Sequence, residues 1–90
     1  VEAFNLGMIY KIFPVAIFEE EVLNLATTLA NMPTLALGLT KTLLNQSMSN
    51  NLEQQLDLEL DLQLEASASN DYQEGVTAFV EKRKPEFKGN

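Results

Sequence analysis

Two side chains three apart, Phe79 and Lys82, share one face of any helix that spans them. An aromatic ring beside an ammonium suits a ligand that joins a flat base to a phosphate. A core phenylalanine and an ordinary surface lysine account for the same spacing, and spacing alone favours that plainer account. Carboxylates offer the other candidate chemistry. Asp57, Asp61 and Glu65 recur at helical intervals, and paired acids can perform general acid–base catalysis. With no nucleophile–base pair and no cleft-forming glycine loop beside them, they read as a solvated strip. Glu59 stands apart, between leucines, where a carboxylate would be partly buried and in need of donors. Structural bracing is its expected role.

Composition removes whole classes of chemistry. The chain has no cysteine and no histidine, so it has no disulfide framework, no thiolate, and neither the commonest general base nor the commonest metal ligand. A net charge of −7 argues against nucleic acid as a partner. Four of its six basic residues, Lys82, Arg83, Lys84 and Lys88, nevertheless fall in the last nine positions. Such cations complement a helix C-terminus or serve an anion site. No apolar run approaches the roughly 20 residues of a membrane span, and nothing at the start resembles a signal peptide. The default expectation is a soluble, cytoplasmic protein. With 46% hydrophobic residues in 90, one small folded domain covering residues 1–90 is expected, and disorder is not.

The elements that must position these residues are helices. "VEAFNLG" reads as the tail of a helix, with Gly7 at its left-handed C′ position. "MIYKIFP", Met8–Pro14, is a short extended segment or strand. A helix follows with Glu19, Glu20 and Glu21 in its first turn and an apolar stripe of Val22, Leu25, Ala26, Leu29 and Met32. Pro33 fits N1 of the next helix, which carries Ala36, Leu39 and Leu43 on one side and Leu37 and Leu44 on another. Asn50 with Glu53 resembles a capping box for a fourth helix. Asp71 with Glu74 resembles a second one, for a last helix that Pro85 ends. Gly75 inside that helix predicts close approach by another backbone or a ligand. The fold class is all-α, four main helices joined by short turns.

"LDLELDLQLE", Leu56–Glu65, tests that reading, because strict alternation is the signature of a half-buried strand. Aspartate is a poor strand residue, and the segment has no β-branched or aromatic side chain. Leucine, glutamate and glutamine are all strong helix formers. On a helix, Leu52, Leu56, Leu60 and Leu64 form one stripe and Leu58 with Leu62 a second. A helix apolar on two sides is buried on two sides. In so short a chain only one side can be its own core, so the other predicts a partner.

"NDYQEGVTAFVEKRKPEFKGN" resembles the C-terminus of the crotonase superfamily, the enoyl-CoA hydratase/isomerase family. The matching positions are Asp71, Glu74–Gly75, Ala78–Phe79, Glu81–Pro85 and Phe87. Upstream, "AFNLGMIYKIFP", "MPTLALGLTKTLLNQS" and "LEQQLDLE" resemble successive family segments in order, and "PTLALGLTKTLLN" with "LDLELD" looks nearest to the phenylacetate-degradation branch, which isomerises ring-epoxidised phenylacetyl-CoA. The resemblance implies a crotonase-type C-terminal helical (trimerisation) domain, cut from a longer enzyme whose oxyanion-hole amides and catalytic carboxylates lie in a missing N-terminal domain. It also implies that Phe79 faces the acyl-CoA and Lys82 the CoA phosphates, often of a neighbouring subunit. Arg83 and Lys84 add field but face solvent. No tightly bound cofactor is implied; coenzyme A is the substrate carrier, and hydration or isomerisation of acyl-CoA thioesters is the parent reaction.

Alone, such a domain is expected to be inactive and to self-associate as a dimer or higher oligomer, against a trimer or dimer of trimers for the parent. The competing reading is a stand-alone acidic helical interaction module, for which the order of the C-terminal motif would be coincidence. An acyl carrier protein ranks last, because Ser47, Ser49, Ser67 and Ser69 all lack the preceding aspartate that carriers place before their modified serine.

Overall fold

Asn51 opens the longest helix by a reciprocal device: its Oδ1 accepts the Gln54 amide at 2.9 Å, and Gln54 Oε1 accepts the Asn51 amide at 3.0 Å. In the computed structural model, which describes residues 1–90, that helix is one of five: α1 (Glu2–Asn5), α2 (Phe18–Ala30), α3 (Thr34–Ser47), α4 (Leu52–Ser67) and α5 (Asn70–Glu81). A 3₁₀ turn, Val15–Ile17, leads into α2. There is no strand. Met8–Pro14 forms no strand, its first three residues being bends and the rest without regular structure, and Leu56–Glu65 is helical throughout.

The expected capping pair, Asn50 with Glu53, is displaced by one residue. Asn50 spends its amide on Gln55 Oε1 at 3.0 Å, and Gln55 Nε2 donates to the Leu43 carbonyl at 3.2 Å. These two bonds stitch the end of α3 to the start of α4, leaving Asn51 in the extended conformation an N-cap requires. Pro33 is likewise the N-cap of α3 rather than its first helical residue. Gly7 stands at φ +72, as a C′ glycine after α1 should.

Packing follows the leucine periodicity on one side only. Ala36, Leu39 and Leu43 of α3 are half-buried, as are Leu58 and Leu62 of α4, and these two helices form the main contact of the fold. The other α4 stripe, Leu52, Leu56, Leu60 and Leu64, is open to solvent. In α2 only Leu25 of the expected stripe is half-buried, and its principal contact is the 3₁₀ turn that precedes it, where Phe13 meets Phe18 edge-on at 6.5 Å. The segment Val15–Ala30 meets α3 at 97° and projects from the α3–α5 body. No single helix is long and apolar enough to cross a membrane.

The result is a flat, open molecule. Its radius of gyration is 16.8 Å, where a packed chain of this length would measure about 12 Å. Its accessible surface is 7506 Å², against about 5,200 Å² for a compact monomer of the same mass. Only Ala78 and Asp71 are buried. The core that the apolar composition promises is therefore mostly absent from this chain, and its apolar faces await cover.

Candidate functional site

The two buried residues both belong to α5, and they mark where the chain is best organised. Ser69, not Asp71, caps this helix: its Oγ accepts the Tyr72 amide at 3.1 Å and donates to the Ala66 carbonyl at 2.6 Å. With the cap supplied by serine, Asp71 is free for another task. Its two carboxylate oxygens accept the backbone amides of Lys88 and Gly89 at 2.7 and 2.8 Å, and its own amide donates to the Asn90 carbonyl at 2.9 Å. One side chain thus folds the terminal segment, 84–90, back along α5.

Glu74 makes a second attachment one helical turn on. Arg83 donates to both of its oxygens, Nη1 to Oε1 at 2.6 Å and Nη2 to Oε2 at 2.8 Å. The Glu86 amide adds a third bond to Oε1 at 2.8 Å. Arg83 Nε also donates to Glu81 Oε2 at 2.6 Å. Arg83 is exposed, as expected, but its guanidinium is not idle there: it is spent on two carboxylates. The Arg83 bonds, followed by the Glu86 amide, lower the Glu74 pKa from 4.5 to about 2. A depressed folded pKa means that the stabilisation is complete above about 4.5 and is lost as pH falls towards 2. Carboxyl carbon chemical shifts should place the Glu74 titration near 2, together with loss of Glu86 amide protection. A Glu74 midpoint at 4.5 would show that the fork is not populated in solution.

Gly75 faces the folded-back segment. The Phe87 ring lies 3.6 Å from where a Cβ on Gly75 would stand, which is ordinary contact. The neighbour expected from sequence was a backbone or a ligand; the structure supplies a side chain instead. The sharper constraint is at Gly89, φ +80, where a Cβ would collide with the Thr34 hydroxyl.

Between α3, α5 and Phe87 lies an apolar cleft of about 400 Å³, bordered by Pro33, Ala36, Tyr72, Val76 and Phe79. Phe79 is 85% exposed, so within these ninety residues it belongs to no core. Lys82 does not line the cleft. It follows the last turn of α5 at φ 56, ψ 39, the one non-glycine residue in the left-handed region. That conformation, not Pro85, ends the helix. Glu59 is exposed and makes no side-chain hydrogen bond, which overturns its expected partly buried bracing role: α4 turns it past the α3 contact rather than into it. Asp57, Asp61 and Glu65 are exposed, as a solvated strip should be. No three acidic side chains converge to hold a metal ion.

Sequence reasoning named Asp71 and Glu74 as caps and missed the attachment they make. The signal was present in the order of acids at the start of α5 and Arg83 with an aromatic after its end, but it concerns contacts 9 to 18 residues apart.

Comparison with known proteins places this arrangement. The model of the family described as enoyl-CoA hydratase/isomerase matches residues 1–90. The chain is 43% identical over 88 residues to the 1,2-epoxyphenylacetyl-CoA isomerase of Escherichia coli K12, covering 98% of this chain and 34% of that protein. It is 41% identical, with the same coverage, to a probable enoyl-CoA hydratase of Rhodobacter capsulatus. The crystal structure of an enoyl-CoA hydratase from Geobacillus kaustophilus HTA426 superposes with a TM-score of 0.89 at 34% identity, over 99% of this chain and 34% of that one. The chain thus spans about a third of the length of the relatives it matches.

Proposed function

The chain belongs to the enoyl-CoA hydratase/isomerase family, and from that premise we propose that its ninety residues form the C-terminal helical region of an acyl-CoA enzyme. In this role they supply one wall of the CoA-ester site and part of the surface on which subunits assemble. Two relatives of nearly equal identity carry different activities, so the proposal stops at their shared chemistry, the CoA thioester. Hydration or isomerisation would be carried out by oxyanion-hole amides and carboxylates from the N-terminal two-thirds. Without them these residues do no catalysis of their own.

The observation that carries this reading is the edge of α5. Phe79 stands almost fully exposed at the mouth of an apolar cleft, and Lys82 follows it, exposed, in a strained backbone conformation. A residue held in a sparsely populated backbone region is costly and marks functional sites, and Phe79 borders the apolar cleft directly. A ligand that filled the cleft would use both. Phe79 would pack on the acyl-CoA and Lys82 would pair with a CoA phosphate.

In the full-length enzyme, Lys82→Ala should raise KM for a CoA ester about tenfold, the loss of a charge-assisted contact worth ~1.5 kcal/mol. The turnover number should change little, because the bond-making groups lie elsewhere. An unchanged KM would remove Lys82 from the site.

A further inference from the structure

Lysine is an unusual choice for a left-handed helix terminus, where glycine is the ordinary occupant. Lys82 holds φ 56, ψ 39 without the glycine's freedom. Something must over-determine that conformation, and the structure shows what does. The Lys82 amide donates to the Phe79 carbonyl at 3.3 Å, and the Arg83 amide reaches back to the carbonyl of buried Ala78 at 3.0 Å. Across Lys82 itself, Arg83 Nε grips Glu81 Oε2 at 2.6 Å. The same guanidinium is forked onto Glu74, seven residues before Glu81, and its Nη1 also donates to the Lys84 carbonyl at 3.2 Å. The residues on both sides of Lys82 are therefore held by one planar cation, while the Lys82 ammonium itself has no hydrogen-bond or ion-pair partner. Exposed single ion pairs do little. This one is bidentate, networked and anchored on a carboxylate that also accepts the Glu86 amide.

We propose that Glu74, Glu81 and Arg83 are positioning residues that fix Lys82 in the left-handed turn and so pre-organise its ammonium for an anionic ligand. The ligand half of this proposal rests on the reading of Lys82 as a CoA-phosphate contact; the backbone half does not. Fixing the turn in the free protein removes its ordering entropy from the binding step. Removing the fork should therefore weaken ligand binding through Lys82 alone.

The test is a double-variant cycle in the full-length enzyme with Arg83→Gln, Lys82→Ala and both together. KM and kcat are measured for a CoA ester, and hydrogen exchange is followed over residues 78–88. Arg83→Gln should raise KM severalfold at unchanged kcat and speed exchange at residues 82–86 at least tenfold. In the Lys82→Ala background it should add nothing further to KM, because the two residues act in series. Arg83→Lys, which keeps the charge and loses the fork, should behave like Arg83→Gln and serves if the latter does not fold. Additive effects on KM would mean that Arg83 touches the ligand itself, and would overturn the proposal. Unchanged exchange in the Arg83 variants would also overturn it, whatever KM does. Faster exchange with a KM indifferent to Lys82→Ala places the failure in the CoA reading and takes the ligand half with it.

Discussion

The ninety-residue chain should self-associate through the open face of α4, and replacing Leu56 and Leu60 together by glutamine should leave it a monomer. The chain exposes about 2,300 Å² more than a compact monomer of its mass, while a standard interface takes about 800 Å² from each partner. Leu56 and Leu60 remain 55% and 58% exposed at the middle of the open α4 stripe. Full burial of a leucine is worth about 1.5–3 kcal/mol, so each of these has roughly 1 kcal/mol still to gain. In a two-fold contact the pair counts twice, giving ~4 kcal/mol, or about a thousandfold in dissociation constant. Because α4 carries five acids and no base, added salt should strengthen the association of the unsubstituted chain by screening like charges. Sedimentation equilibrium at several concentrations and ionic strengths reads both effects. Equal, concentration-independent masses for the two proteins would show that the stripe drives nothing. Substitution at Leu58 and Leu62 should act differently, unfolding the α3–α4 pair rather than dispersing an assembly.

That contrast between two leucine stripes was legible in the sequence, since both follow from a 100° rotation per residue. So were the α3 face of Ala36, Leu39 and Leu43, the left-handed Gly7 and the helical state of an alternating segment. What failed were local assignments that depend on where a side chain is otherwise spent. Asn50 does not cap α4 because the extended Asn51 already does, in a reciprocal pair with Gln54, while the Asn50 Nδ2 donates to Gln55. Asp71 does not cap α5 because Ser69 does, releasing the carboxylate to bind a segment 17 and 18 residues away. Pro85 does not end the helix because Lys82 has already turned it. Glu59, flanked by leucines in sequence, borders the α3–α4 groove yet stays exposed there. Periodicity carries information about faces; it carries none about contacts closed over a long loop, and the α5 attachment is built from those alone.

Asp71→Ala should cost the ninety-residue chain about 2–4 kcal/mol, a drop of roughly 10–25 °C in Tm for a domain of this size. Asp71 is 4% exposed and is the single acceptor for both the Lys88 and Gly89 amides. Hydrogen bonds to a charged acceptor are worth ~1.5–3 kcal/mol each, and their sum is tempered because a released segment can give its amides to water. Detachment also carries Phe87 away from Gly75 and strips the apolar cleft of one wall. The discriminating variant is Asp71→Asn. It preserves size and one acceptor oxygen but aims an NH₂ group at the second amide, donor against donor. It should therefore lose nearly as much stability as alanine, where a merely space-filling role would leave it within ~0.5 kcal/mol of the unsubstituted chain. Calorimetry on the three proteins separates these outcomes. In a full-length enzyme whose CoA-ester site is built as proposed, the same substitution should raise KM for CoA esters through a loosened α5 edge, because Phe79 stands on the helix that Asp71 keeps closed and Lys82 directly follows it.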